Sequence, residues 1–165
     1  LRNLAMNVDN CEEIARVGGI APIVTLARSG TDAQKEEATG ALSNLAVNAD
    51  NIAAIARAGG IEPLVTLVRS GNDAQKRHAA AALAFLACNA DNRATVAAAG
   101  GIGPLIALVR SGATNDQREV ALAALLLLAL HRNNLTQIDA SGGASADGLG
   151  GMQALVSLSM TGTPA

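Results

Sequence analysis

Apolar positions along the chain come in short amphipathic blocks closed by glycine, and the same blocks return at a fixed interval. The stretch "DNCEEIARVGGIAPIVTLARSGTDAQKEEATGALSNLAVNA" (9–49) lies over "DNIAAIARAGGIEPLVTLVRSGNDAQKRHAAAALAFLACNA" (50–90), and 26 of the 41 positions are identical. A third copy (91–132) carries one extra residue within "SGATNDQ". Residues 1–8 read as the tail of an earlier copy, and 133–162 as a degenerate fourth that lacks its last third and carries a Gly-rich insertion at 141–151. A repeat of this length is one supersecondary unit that must stack on its neighbours to bury its apolar face.

The punctuation divides each copy into three helices. The first follows Asp9, Asp50 or Asp91, expected to cap its free amides, and stops at a glycine pair: Gly18-Gly19, Gly59-Gly60, Gly100-Gly101. The second is expected to begin at Pro22, Pro63 or Pro104, since a first turn has no use for the missing N–H. It ends at Ser29-Gly30, Ser70-Gly71 or Ser111-Gly112. The third opens with capping-box spacing, Thr31 to Gln34, Asn72 to Gln75 and Thr114 to Gln117. The expected fold class is therefore all-α, a solenoid of stacked three-helix units.

Composition narrows this picture. Half the residues are hydrophobic, yet Phe85 is the sole aromatic, so the core must be built of Ala, Leu, Ile and Val. A net charge of −2 gives no electrostatic footprint for nucleic acid. The longest apolar run, "VALAALLLLAL", falls short of a membrane span, and no signal peptide is read. Cys11 and Cys88 form no C-x-x-C pair and read as reduced thiols, which suits the cytoplasm, with the nucleus as an alternative. Because the chain opens at Leu1 inside a helical pattern, it is expected to be a piece of a longer protein.

In the third helix, a 100° step per residue separates two faces. Ala38, Ala41, Leu42, Leu45 and Ala46 make a core stripe, with Leu83, Leu86 and Ala87 in the next copy. A second stripe runs through Glu37, Gly40, Asn44, Val47 and Asn48. The pattern "GGIxPLVxLxRSG" followed by "AxxALxNLAxN" resembles the armadillo repeat, of the regular, Trp-poor type seen in vacuolar armadillo scaffolds and plant U-box armadillo proteins. The two-helix HEAT repeat is the nearest rival, but the short Gly-terminated first helix and the period favour armadillo. The resemblance implies a right-handed solenoid whose second stripe lines a concave groove holding extended peptides. It also implies that an Asn at the place of Asn44 bonds the ligand backbone, an amide offering donor and acceptor together. Asn3 matches that pattern as well, while Phe85 and Leu127 depart from it.

Groove candidates then fall into rungs. The first is Asn3, Met6 and Asn7; the second is Glu37, Gly40, Asn44, Val47 and Asn48; the third is His78, Ala81, Phe85, Cys88 and Asn89. The last, Val120, Ala123, Leu127, Leu130 and His131, is the most apolar. The helix 117–131 is apolar around almost its whole girth, so a missing neighbour is expected to cover it: downstream sequence, a partner, or a second copy by self-association.

The expected function is a non-catalytic scaffold that binds a protein or peptide partner, with no cofactor and no metal. His78 and His131 stand far apart in the sequence, and no nucleophile, base and orienting acid converge. The "NADN" runs lack the acidic ligands and closing Glu of a calcium loop, and "SGGASADGLGG" has no Lys for a phosphate. One alternative is the substrate-recognition part of an armadillo-containing ubiquitin ligase. A nuclear import adaptor is disfavoured, because Gly40, Ala81 and Ala123 stand where that family places groove tryptophans.

Overall fold

The structure is a computed structural model and describes residue 5 and residues 7–141. Among the described residues there are ten helices and no strand. The first copy supplies α1 (Val8–Arg16), α2 (Ile20–Ser29) and α3 (Asp32–Leu45). The second supplies α4 (Ala49–Arg57), α5 (Ile61–Ser70) and α6 (Asp73–Leu86), and the third α7 (Ala90–Ala98), α8 (Ile102–Ser111) and α9 (Asn115–Leu128). The fourth copy begins with α10 (Arg132–Ser141), and the rest of it, with the Gly-rich insertion, lies outside the described residues. The third helices stack side by side as α3–α6–α9, and each second helix packs on the third helix of its own copy.

The glycine pair ends the first helix as expected, and its two members are needed for different reasons. Gly18, Gly59 and Gly100 adopt φ of 79°, 73° and 75°, a left-handed turn that costs a residue with a Cβ about 1–2 kcal/mol. Gly60 is a matter of space, since a Cβ there would stand 2.7 Å from Ile55 Cγ2 and 3.0 Å from the Ile55 carbonyl oxygen. The pair turns the chain through 86° between α4 and α5 and 84° between α7 and α8.

Helix starts differ from expectation in two ways. The caps of α4 and α7 are Asn48 and Asn89 rather than the aspartates: Asn48 Oδ1 accepts from the N–H of Asp50 at 2.9 Å and of Asn51 at 3.4 Å, and Asn89 does the same for Asp91 and Asn92. Asp50 and Asp91 instead sit inside the first turn, where a carboxylate favours the positive end of the helix dipole. The second helices start at Ile20, Ile61 and Ile102, two residues ahead of the prolines. The first backbone bond of α2 runs from Ile23 N–H to the Gly19 carbonyl, so Pro22 still falls among the free amides of the first turn and costs nothing.

The core stripe is confirmed. Ala41, Leu42, Leu45, Ala46, Leu83, Leu86 and Ala87 are fully buried, in one cluster that continues through Leu125 and Leu128 to Ile138. Polar side chains then tie copy to copy. Gln75 and Gln117, both buried, donate through Nε2 to the carbonyls of Asp32 and Asp73 in the preceding third helix, each at 2.8 Å. Asn51, Asn92 and Asn134 donate through Nδ2 to the last-turn carbonyls of Leu45, Leu86 and Leu128 at 3.1, 3.0 and 3.2 Å. Those carbonyls belong to the helix end, where orphan acceptors need partners. Arg28 Nη2 reaches across to the Gly59 carbonyl at 3.2 Å.

Candidate functional site

The site candidates stand on the third helices and in the turns that follow them. Asn44, Phe85 and Leu127 occupy one register position in α3, α6 and α9, and Val47, Cys88 and Leu130 a second, one turn further on. In the middle copy the contrast within one helix is sharp: Leu83 and Leu86 are fully buried, whereas Phe85 is 37% exposed. Val47 and Leu130 are 65% and 66% exposed, Cys88 is exposed, and Asn44 and Leu127 are half-buried. An apolar line therefore runs along the C-terminal ends of three successive third helices and the turns that follow them, joined by a single amide at Asn44.

The flanking positions change in depth along this line. Gly40 is buried, Ala81 half-buried and Ala123 exposed, so the position read as a groove wall is not accessible in the first copy. Glu37 is exposed and is the acidic member of the second stripe. His78 is half-buried, with Nε2 3.0 Å from Arg77 Nη2. Among the described residues no group of His, Cys, Asp and Glu could hold a metal ion, and no single helix is long and apolar enough to cross a membrane.

Asn7, Asn48 and Asn89 are used differently from the other candidates. Asn48 and Asn89 spend their side-chain oxygens on capping α4 and α7, and Asn7 Oδ1 accepts from the N–H of Asn10 at 3.4 Å at the start of α1. His131 takes the same register position ahead of α10, and its buried Nδ1 meets no partner. Asn3 and Met6 fall outside the described residues. Sequence reasoning missed the buried Gln and Asn contacts between copies. The signal for the asparagines was present, since an Asn recurs at 10, 51, 92 and 134 with the period of the repeat.

The two thiols differ in kind. Cys11 is buried within α1 of the first copy, with Sγ 3.1 Å from the Ala5 carbonyl oxygen, and burial pushes its thiol pKa up. Cys88 lies open on the line. Thiolate is the reactive form, so a disulfide reagent such as Ellman's is expected to titrate one thiol rapidly in the native protein and the second only on unfolding. A Cys88→Ser variant should lose the fast phase; retention of that phase would contradict the placement of Cys88.

A family model of the Armadillo/beta-catenin-like repeat matches residues 7–47 and 48–87, the first two complete copies. The chain is built of armadillo repeats. The third copy follows the same helix order. Solved structures share the fold along nearly the whole length. One engineered protein has a TM-score of 0.81 at 28% identity over 98% of this chain, which spans 41% of that longer chain. A designed armadillo repeat protein gives 0.80 at 21% identity over 96% of this chain and 71% of its own. A designed armadillo repeat protein in complex with the peptide (KR)4 gives 0.77 at 20% identity over 96% and 70%. No curated protein matches the chain. The α-solenoid of armadillo repeats is a protein-interaction scaffold.

Proposed function

We propose that this armadillo array is a non-catalytic binding module that takes an extended peptide along the third helices. Asn44 holds ligand backbone at one end, and Phe85, Cys88, Leu127 and Leu130 receive apolar side chains toward the other. The observation that carries this reading is the exposure of the one aromatic ring in a helix whose core positions are fully closed. The exposed part of the Phe85 ring is available to a ligand, and binding surfaces are enriched in aromatic residues. The neighbour bound to (KR)4 supports peptide recognition by the architecture. This chain's own residues argue for a different peptide: Gly40, Ala81 and Ala123 offer no ring for a basic side chain, and Glu37 is the acid of the stripe.

Fluorescence polarisation with labelled (LS)4 and (KR)4 tests the proposal. The apolar peptide is expected to bind more tightly. Phe85→Ala should weaken it roughly 5- to 30-fold, the effect of losing about 1–2 kcal/mol at a central contact. Asn44→Ala should weaken both peptides, because a backbone contact does not read side chains. Tighter binding of (KR)4, or indifference to Phe85→Ala, would reject the reading.

A further inference from the structure

The stacking face of the third helices changes size along the array. In α3 the residues turned toward the next copy are Thr39 and Ser43, buried under α6. Thr39 satisfies its hydroxyl within its own helix by donating to the Lys35 carbonyl. In α6 the same register holds Ala80, fully buried, and Ala84, half-buried under α9. Small residues let neighbouring helices approach closely. In α9 the register holds Leu122 and Leu126, and Leu126 is 42% exposed. This face continues the α3–α6 and α6–α9 interfaces in register, so it is shaped for a helix. Its leucines would hold off an alanine-backed helix of the kind that covers α3 and α6, and would interdigitate with another leucine pair at i, i+4 spacing.

We propose that the occupant is α9 of a second copy of this chain, packed antiparallel so that Leu122 and Leu126 of each copy interleave with those of the other. The charges fit that direction. Asp116 and Glu119 are exposed near the N-terminal end of α9, and Arg132 is exposed just past its C-terminal end. With a two-fold axis midway between Leu122 and Leu126, the acidic N-terminal end of one α9 meets the C-terminal end of the other, where Arg132 opens α10. A parallel pair would set like charges together. The arrangement is isologous and closes at two subunits. It uses a face other than the peptide line and does not depend on that reading.

Sedimentation equilibrium on the 165-residue chain tests it. A two-helix contact is smaller than the roughly 800 Å² per partner of a standard interface, so the loading range should run from about 10 µM to about 1 mM. A monomer–dimer equilibrium is expected. Leu126→Glu should abolish the dimer without changing the helical circular dichroism, and Leu122→Ala with Leu126→Ala, which restores the α6 pattern, should abolish it too. Glu119→Arg alone should raise the dimer Kd about three- to tenfold, and adding Arg132→Glu should bring it back. Phe85→Ala should leave the dimer intact. A wild type that stays monomeric throughout, a dimer that survives Leu126→Glu, or a double charge swap that fails to restore association would each overturn the proposal.

Discussion

Leu83→Ala is expected to lower the unfolding free energy by about 2–5 kcal/mol, whereas Phe85→Ala, two residues on in the same helix, lowers it by about 1 kcal/mol or less. Both remove large apolar side chains from α6, so the difference tests the separation of its two faces. Leu83 is fully buried among Ala79, Ala80 and Leu86, in the middle of the continuous core. Truncation there loses the transfer energy and leaves a cavity that the stacked helices on either side cannot close. Phe85 already spends part of its surface in water, and its truncation opens no enclosed space. Urea unfolding followed by circular dichroism measures both. Equal losses would mean that Phe85 is a stacking residue, and the peptide line would lose its central member.

Why the fold could be read from sequence, and the contacts between copies could not, follows from range. Gly59-Gly60, Pro63 and the Asn72–Gln75 box act within a few residues of themselves, so their meaning is written locally. The core stripe was legible too, because a 100° step places Leu42, Leu45, Leu83 and Leu86 without tertiary knowledge. The helix starts were harder. "NADN" offers Asn48 and Asp50 as rival caps two residues apart, and the extended backbone of Asn48 decides between them. That choice also changed the site, since it commits the side-chain oxygens of two groove candidates, Asn48 and Asn89. Gly40 shows a related limit: a helical wheel gives a residue's direction, but not how deeply its neighbours bury it. The size gradient from Thr39 and Ser43 through Ala80 and Ala84 to Leu122 and Leu126 was visible in the aligned copies, yet its meaning needed the stacking order of the helices.

Gln75 shows the same limit within one side chain and supplies the second large expected effect. Its capping box fully accounts for it locally: Oε1 accepts from Asn72 N–H at 3.0 Å. The structure adds a second bond, from Nε2 to the Asp32 carbonyl one copy earlier. Gln34 forms the same box but is exposed, so the pair is an internal control. Gln34→Ala is expected to cost about 0.5–1 kcal/mol, the worth of part of a cap. Gln75→Ala should cost about 1–3 kcal/mol, because it also strips a partner from polar groups at a buried junction. Gln75→Glu keeps the shape and removes the donor. A carboxyl in this buried place is held above its unfolded pKa by desolvation. The variant's stability should therefore be greatest below the unfolded carboxyl pKa, where the protonated acid can donate to the Asp32 carbonyl, and fall as pH rises through the folded pKa. Denaturation at pH 4 and pH 7 separates the two roles. If Gln34→Ala and Gln75→Ala cost the same, and Gln75→Glu shows no loss on going to neutral pH, then Gln75 is only a cap and the copies are held in register by apolar packing alone.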